Sequence, residues 1–373
     1  MKVAIIGGKL QGTEATYLAK LCGITSVVID KNPLVPASGF CDEFVCGDIV
    51  NEDANVLEAM RGCDFVLPAN ENTQLLAAVK KICERENLVL AFDFDAYAIS
   101  SSRIKSDKLF LENGIPAPVY YPDGEPPYII KPSGESGSAG VRLVQTRQEV
   151  DSFLENCKDR ENWIVQEYLS GPSYSIEVIG NGEKYRTYTI TQIHMDDVYD
   201  CCMVSAPCII GKEKEEEFAK IAEKIAKLIR LKGIMDVEVI DDGRGLKVLE
   251  IDARIPSQTP IAVYCSSGTN LLTEIADIAL HNEFRHKKGT NKKYATYEHY
   301  QIENGCITRN GEHSMANAKP LSVRKDFLGS DVLLSDFAED KQEFTGVFIN
   351  SADDELQLEQ KRLNVKKNLE ALI

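Results

Sequence analysis

No apolar run in the chain reaches the length of a membrane span, so a transmembrane helix is not expected. The first residues, Met1 to Gly8, read as a strand entering a turn and lack the apolar stretch and cleavage site of a secretory leader. Neither repeats nor low-complexity segments interrupt the pattern. Basic residues are outnumbered: the net charge is −16, which argues against a nucleic-acid partner whose phosphates would be repelled. The P-loop signature is missing as well, since no Gly-Lys-Ser/Thr follows the glycine-rich loop near residue 134. A nicotinamide cofactor is disfavoured by a single position. Gly7-Gly8-Lys9-Leu10-Gln11-Gly12 follows a strand and Asp30 closes the next, but a GxGxxG frame ending at Gly12 needs glycine at position 9, where Lys9 stands. That glycine is what lets backbone approach a pyrophosphate.

Cysteine is present without the patterns that give it a structural task. The eleven cysteines are scattered, odd in number and free of CxxC spacing, as expected of reduced thiols in a cytoplasmic protein. Cys201, Cys202 and Cys208 near His194 lack zinc-ligand spacing. At 373 residues the chain exceeds one core. Three parts are expected: an α/β, Rossmann-like parallel-sheet domain over 1–98, a small α+β part over 99–170, and a larger α+β part over 171–373. Strands are expected at 3–6, 26–30, 44–46, 64–68 and 89–92, with helices at 12–22, 56–60 and 73–86 between them. A helix over 100–113 follows, then strands at 128–131, 141–144 and 163–168 around a helix at 147–158. Strands at 174–179 and 185–192 and a helix at 214–231 come next. From about 290 a smaller mixed tail is expected, its last helix (356–373) a candidate docking or dimer element.

The chemistry concentrates in a hairpin. Asp236 and Glu238 lie on one strand, Glu250, Asp252 and Arg254 on the next, and alternation puts each set on one face. With the turn Asp242-Gly-Arg-Gly centred on Arg244, Glu238 falls opposite Glu250 and Asp236 opposite Asp252. Like charges directly opposed destabilise a sheet, whereas Mg²⁺ takes carboxylate oxygens and an adjacent Arg suits a phosphate. This arrangement reads as a Mg-nucleotide site. Upstream, Lys131 ends a strand and is followed by Ser133, Gly134, Ser136, Gly137 and Ser138, small residues whose amides can close around phosphate oxygens. Glu177 shares alternation with Ser175 and is directed at the central cleft. Leu10, Gln11, Glu71 and Asn72 follow strand ends, where ligands bind in open α/β sheets. Glu71 and Asn72 could equally cap the helix beginning at Thr73. His194 is as readily a surface histidine as a base.

Taken in order, Lys108, Lys131, the small-residue loop, Gln166-Glu167-Tyr168-Leu169, Glu238, Glu250, Asp252 and Arg254 resemble the ATP-grasp superfamily. The segments 6–12, 131–140, 169–179 and 251–257 resemble in particular its ligases that join a D-ornithine-type amino acid to L-lysine. The resemblance implies ATP held between two α+β subdomains behind a Rossmann-like domain that binds no dinucleotide. Lys108 and Lys131 would contact phosphates, 133–140 would cover them, and Glu167 and Leu169 would meet the adenine edge beside Gln166. Glu238, Glu250 and Asp252 would hold Mg²⁺, and Lys131 and Arg254 would act on the transferred phosphate. The family's metal strand often has Asn where Asp252 stands, and its ribose-gripping Glu falls at Ser173. Glu177, Asp236, Ser205, Ser257 and Thr259, with His194, would line the amino-acid sites. The implied reaction passes through an acyl phosphate and releases ADP. Another ligase of the superfamily, a bicarbonate-activating carboxylase and a non-enzymatic nucleotide-binding regulator remain open at this point.

Overall fold

The computed structural model describes residues 1–134, 140–339, 341 and 343–372. Strands β1 (Lys2–Ile6), β2 (Thr25–Asp30), β3 (Glu43–Cys46) and β4 (Phe65–Pro68) form a parallel sheet in the order β3–β2–β1–β4. Helices α1 (Leu10–Cys22), α2 (Ala54–Arg61) and α3 (Thr73–Glu86) connect them. A parallel sheet is covered on both faces, which is why these strands are continuously apolar. On β1, Val3 and Ile5 pack with Leu18 of α1, while Ala4 and Ile6 pack with Val56 and Val79 on the other face. The strand expected at 89–92 shrinks to one bridge, Val66 to Leu90. There Phe92 turns to stack with Phe94 and Tyr97, at centroid distances of 4.8 and 5.1 Å, and opens α4 (Phe94–Ser100).

The helix expected over 100–113 is α5 (Arg103–Glu112), separated from α4 by extended Ser102. A three-stranded antiparallel sheet follows, β6–β5–β7, built from β5 (Tyr128–Pro132), β6 (Arg142–Val144) and β7 (Trp163–Glu167). Helix α6 (Arg147–Asn156) covers it, with Val150 buried against Tyr128, Ile130 and Val165.

The remaining strands belong to one large sheet: β8 (Ser173–Asn181), β9 (Tyr185–Thr187), β10 (Thr191–Met195), β11 (Cys201–Ala206), β12 (Lys232–Asp241), β13 (Leu246–Asp252), β14 (Tyr294–Glu303), β15 (Cys306–Thr308), β16 (Ser322–Phe327), β17 (Ser330–Ser335) and β18 (Phe344–Ala352). Its path runs β13–β12–β8–β10–β11–β14–β18–β17–β16. The strand expected over 185–192 is thus two, β9 and β10, both paired with β8. Residues beyond 290 do not form a separate tail, because β14 pairs with β11 and continues the sheet. Helices α7 (Lys212–Leu228), α8 (Thr259–Ser267), α9 (Leu271–His281), α10 (His313–Ala316) and α11 (Glu355–Glu370) complete the chain. The final helix docks within the chain through Val365 and Leu369 against Tyr300, Phe344 and Phe348. Among the described residues no helix is long and apolar enough to cross a membrane.

Candidate functional site

A cleft of about 1470 Å³ lies where the three sheets meet. Its floor is the acidic hairpin. β12 and β13 pair Asp236 with Asp252 and Glu238 with Glu250, then shift register to Val239 with Val248. The turn is therefore not centred on Arg244. Asp241 pairs with Leu246, and Leu249 is an extra, bulged residue that restores the pairing of the carboxylates. β8 extends the pattern on the other side, with Glu177 opposite Asp236 and Ser175 opposite Glu238. Two cross-strand rows result: Glu177–Asp236–Asp252 and Ser175–Glu238–Glu250.

Three cations face this charge. Lys131, 7 % exposed, donates to the Leu249 carbonyl at the bulge over 3.5 Å. Burial lowers its pKa, against the pull of Asp107 and Glu250. Arg103 donates to Glu250 Oε2 (2.8 Å) and to the Pro132 carbonyl (3.2 Å). Arg254 donates from Nε to Glu71 Oε1 (2.7 Å) and from Nη2 to Asp252 Oδ2 (3.0 Å), and its Nη1 stands 4.0 Å from Asp236 Oδ1. The carboxylates respond unequally. Burial pushes Glu238 far up, reinforced by Glu250 and Asp236. Asp252 is raised by burial despite Arg254, and Asp236 is raised by burial to about 7. Burial also acts on Glu250, but Arg103 and Lys131 outweigh it and hold its carboxyl below the usual range.

Lys108 does not take part. It is absent from the cleft lining, its side chain is 72 % exposed, and it pairs with Glu112 at 3.7 Å. Its neighbour Asp107 is buried instead, together with Ser106, since successive helical positions point about 100° apart. The cation supplied by α5 is Arg103 in the first turn, which the sequence reading passed over. A sign was available: a cation at a helix N-terminus opposes the helix dipole and needs a reason to be there.

At the opposite end Ile129, Leu169, Tyr168, Ile240 and Leu249 form an apolar slot beside the buried Gln166. Glu167 lines it with limited capacity. Its N–H donates to the Val119 carbonyl, and its carboxylate accepts from Val119 N (2.9 Å) and pairs with Arg244 (3.5 Å). Ser133 lines the cleft but is engaged: its Oγ accepts from Ile104 N (3.2 Å) and its N–H donates to the Asn162 carbonyl. Gly134 is beside it. Ser136, Gly137 and Ser138 lie outside the described residues.

At the end expected to hold the amino acids, Leu10, Gln11, Glu71, Asn72, Asp236, Ser257 and Thr259 all border the cleft. Gln11 Nε2 donates to the same Glu71 oxygen as Arg254 (2.7 Å). Asn72 is spent as the cap of α3, accepting from Leu75 N. Three expectations fail here. Glu177 is fully buried behind the cleft rather than lining it; neither carboxylate oxygen has a hydrogen-bond partner among the described residues, and burial raises its pKa to about 7. Ser205 and His194 bond to each other (2.9 Å) away from the cleft, because the pair Ile193–Val204 occupies the cleft side of β10 and β11. Burial and Arg309 hold His194 down at about 4, so it is neutral and remote. Sequence reading also missed Glu312 and Gln258, which tertiary contacts bring to the rim.

An ATP-grasp domain model matches residues 101–258, the span from the loop before Arg103 to Gln258. A 3-methyl-D-ornithine–L-lysine ligase of Methanosarcina acetivorans is 40 % identical over 318 residues, 84 % of either chain. The chain belongs to the ATP-grasp ligase family. Solved structures share this fold at low identity: a biotin carboxylase of Campylobacter jejuni (TM-score 0.74, 13 % identity, 99 % of this chain and 94 % of that one) and an L-amino acid ligase of Bacillus licheniformis (0.67, 15 %, 98 % and 97 %). ATP-grasp ligases use ATP with Mg²⁺. Among the described residues no three carboxylate, imidazole or thiol side chains form a ready cluster for a metal. The donor set nevertheless fits Mg²⁺, which is usually bound by one or two carboxylates and completed by substrate phosphates and water.

Proposed function

We propose that this ATP-grasp ligase joins the carboxylate of a D-ornithine-type amino acid, 3-methyl-D-ornithine, to the ε-amine of L-lysine, with release of ADP and phosphate, in the assembly of pyrrolysine. The observation that carries the phosphoryl-transfer part is the hairpin: Glu238 opposite Glu250 and Asp236 opposite Asp252, flanked by Arg103, Lys131 and Arg254. The substrate part rests on the 40 % identity to a ligase of that name.

In this reading residues 1–98, 99–170 and 171–373 work as three parts around the cleft. The adenine of ATP lies in the slot of Ile129, Leu169 and Ile240, and its phosphates run toward Lys131 and Arg103. Glu238, Glu250 and Asp252 hold Mg²⁺, which supplies positive charge to the phosphate oxygens when bound. The donor's carboxylate oxygen attacks the γ-phosphorus, the bond to the β–γ bridging oxygen breaks, and ADP leaves. Arg254 stabilises the charge spread over the transferred group. The amine of the acceptor then attacks the acyl carbon, loses a proton and expels phosphate, leaving the amide. Asp236, whose Oδ1 has no hydrogen-bond partner among the described residues, receives an ammonium group of the donor, and Glu177 behind it adds negative potential. Gln11, Glu71 and Ser257 border the acceptor's side.

The test is an ADP-release assay over D- and L-amino acids, singly and in pairs, with product mass. Release is expected only when a D-ornithine-type donor and L-lysine are both present, with a product of their summed mass less water. AMP and pyrophosphate as products, or turnover that needs bicarbonate and no amino-acid acceptor, would overturn the proposal.

A further inference from the structure

Most carboxylates on the cleft wall already have a charged partner or a place in the hairpin. Glu71 and Asp252 are held by Arg254. Glu167 is held by Arg244, and Asp200 by His313 at 2.5 Å. Asp107 faces Lys131. Glu238 and Glu250 belong to the hairpin, and Asp236 to the donor's side.

Glu312 differs. It borders the cleft just before α10, and both of its hydrogen bonds come from neutral groups on one oxygen: Ser257 Oγ donates to Oε2 at 2.6 Å and Gln258 Nε2 at 2.9 Å. No ion pair of Glu312 occurs among the described residues. The arrangement fixes the carboxylate plane and leaves Oε1 for another donor.

The support is built at a conformational cost. Gln258 is 4 % exposed and sits at φ +73°, a region that side-chain-bearing residues seldom occupy. Its amide is clamped at both ends, since Oε1 accepts from Cys201 Sγ (3.0 Å) while Nε2 reaches Glu312. Strain of this kind persists where surrounding structure over-determines it, commonly at ligand sites. Ser257 and Gln258 follow Arg254 by three and four positions, so the same turn carries the phosphate-facing guanidinium and the support of Glu312.

We infer that Glu312 receives the α-ammonium group of the acceptor amino acid, with Ser257 and Gln258 as its positioning residues. The inference rests on the amino-acid ligase reading given above. Chemistry decides which ammonium it is. The ε-nitrogen must be neutral to attack the acyl carbon, and a carboxylate beside it would keep it protonated. The α-nitrogen keeps its charge throughout and gains from an anionic partner.

The experiment compares L-lysine with 6-aminohexanoate, which lacks the α-ammonium, as acceptors for wild type and Glu312→Gln at saturating donor and ATP. Wild type is expected to favour L-lysine. The variant is expected to raise the KM for L-lysine roughly ten- to a hundredfold, as loss of a charged hydrogen bond implies, and to treat the two acceptors alike. The KM values for ATP and donor stay within about twofold. Ser257→Ala should move the same discrimination part of the way. Glu312→Gln that still prefers L-lysine as wild type does overturns the inference while leaving the ligase reading intact. Wild type that uses no L-lysine at all overturns the ligase reading itself.

Discussion

Arg103 and Glu250 stand 147 positions apart in the chain and meet at 2.8 Å, joining the first turn of α5 to the acidic edge of β13. The contact ties the small sheet to the hairpin, because Arg103 also holds the Pro132 carbonyl at the end of β5. Arg103→Ala is therefore expected to lower kcat/KM by on the order of 10²-fold, in line with the loss of one preorganised charge donor. Lys108→Ala, on the exposed side of the same helix, should stay within about twofold. ADP release measured for both variants checks the assignment, and equal losses would undo it.

Glu238 is pressed between Asp236 and Glu250, and burial and that crowding raise its pKa. Replacing it as Glu238→Gln is expected to raise thermal stability without Mg²⁺ and nucleotide by on the order of 1 kcal/mol, because the folded state no longer has to crowd or protonate a buried carboxyl, while Mg²⁺-dependent turnover is lost. Melting curves with and without Mg-ATP, beside the activity assay, report the two effects separately. A variant less stable than wild type in the metal-free state would show that the row is not repulsive.

Glu14 offers a pH dependence on α1. It is fully buried on α1, accepts from Ile261 N at 2.6 Å, and burial raises its pKa to about 8. The folded state therefore holds a proton that the unfolded chain releases near pH 4.5. Stability from this group is complete below that pH and is lost as pH rises toward 8, by up to about 1.4 kcal/mol per unit. Glu14→Gln should flatten the dependence and exceed wild type in stability at pH 9. Urea denaturation at pH 6 and pH 9 decides it; parallel falls in both proteins would contradict the buried, protonated carboxyl.

Gly171 follows β7 where the chain passes under the hairpin. A methyl group there would collide with the Asp241 carbonyl, a backbone atom that cannot swing aside. Gly171→Ala should cost about 1–3 kcal/mol, as overpacking commonly does, and weaken ATP binding, because Gly171 and Ile240 both border the cleft at the slot proposed for adenine. Denaturation midpoints and the KM for ATP should shift together.

These contacts also show which parts of the site can be read from sequence. The facing of Asp236, Glu238, Glu250 and Asp252 follows from alternation along a strand, a local rule that needs no tertiary knowledge. Lys108 and Arg103 required a helix boundary to be placed within three residues, because helical direction turns by about 100° at each step. Extended Ser102 sets that boundary, and in the sequence Ser100 and Ser101 are equally good N-cap candidates. Ser205 and His194 required knowing which face of β10 and β11 met the cleft, and that depends on which strands join the sheet beyond residue 290. Glu312 reaches Ser257 across 55 positions, a separation that local pattern does not bridge.

The bulged Leu249 settles something that composition does not. Carried onward from the turn without it, the pairing of Val239 with Val248 would place Glu250 beside Val237 and Ile251 beside Asp236. Both carboxylates of β13 would then enter the apolar cluster of Val237, Val239, Val248 and Ile251. If Leu249 paired with Glu238 instead of bulging out, the site would turn inside out with every acidic and basic residue left in place. The centre is encoded by where the hairpin absorbs its extra residue as much as by the charges themselves.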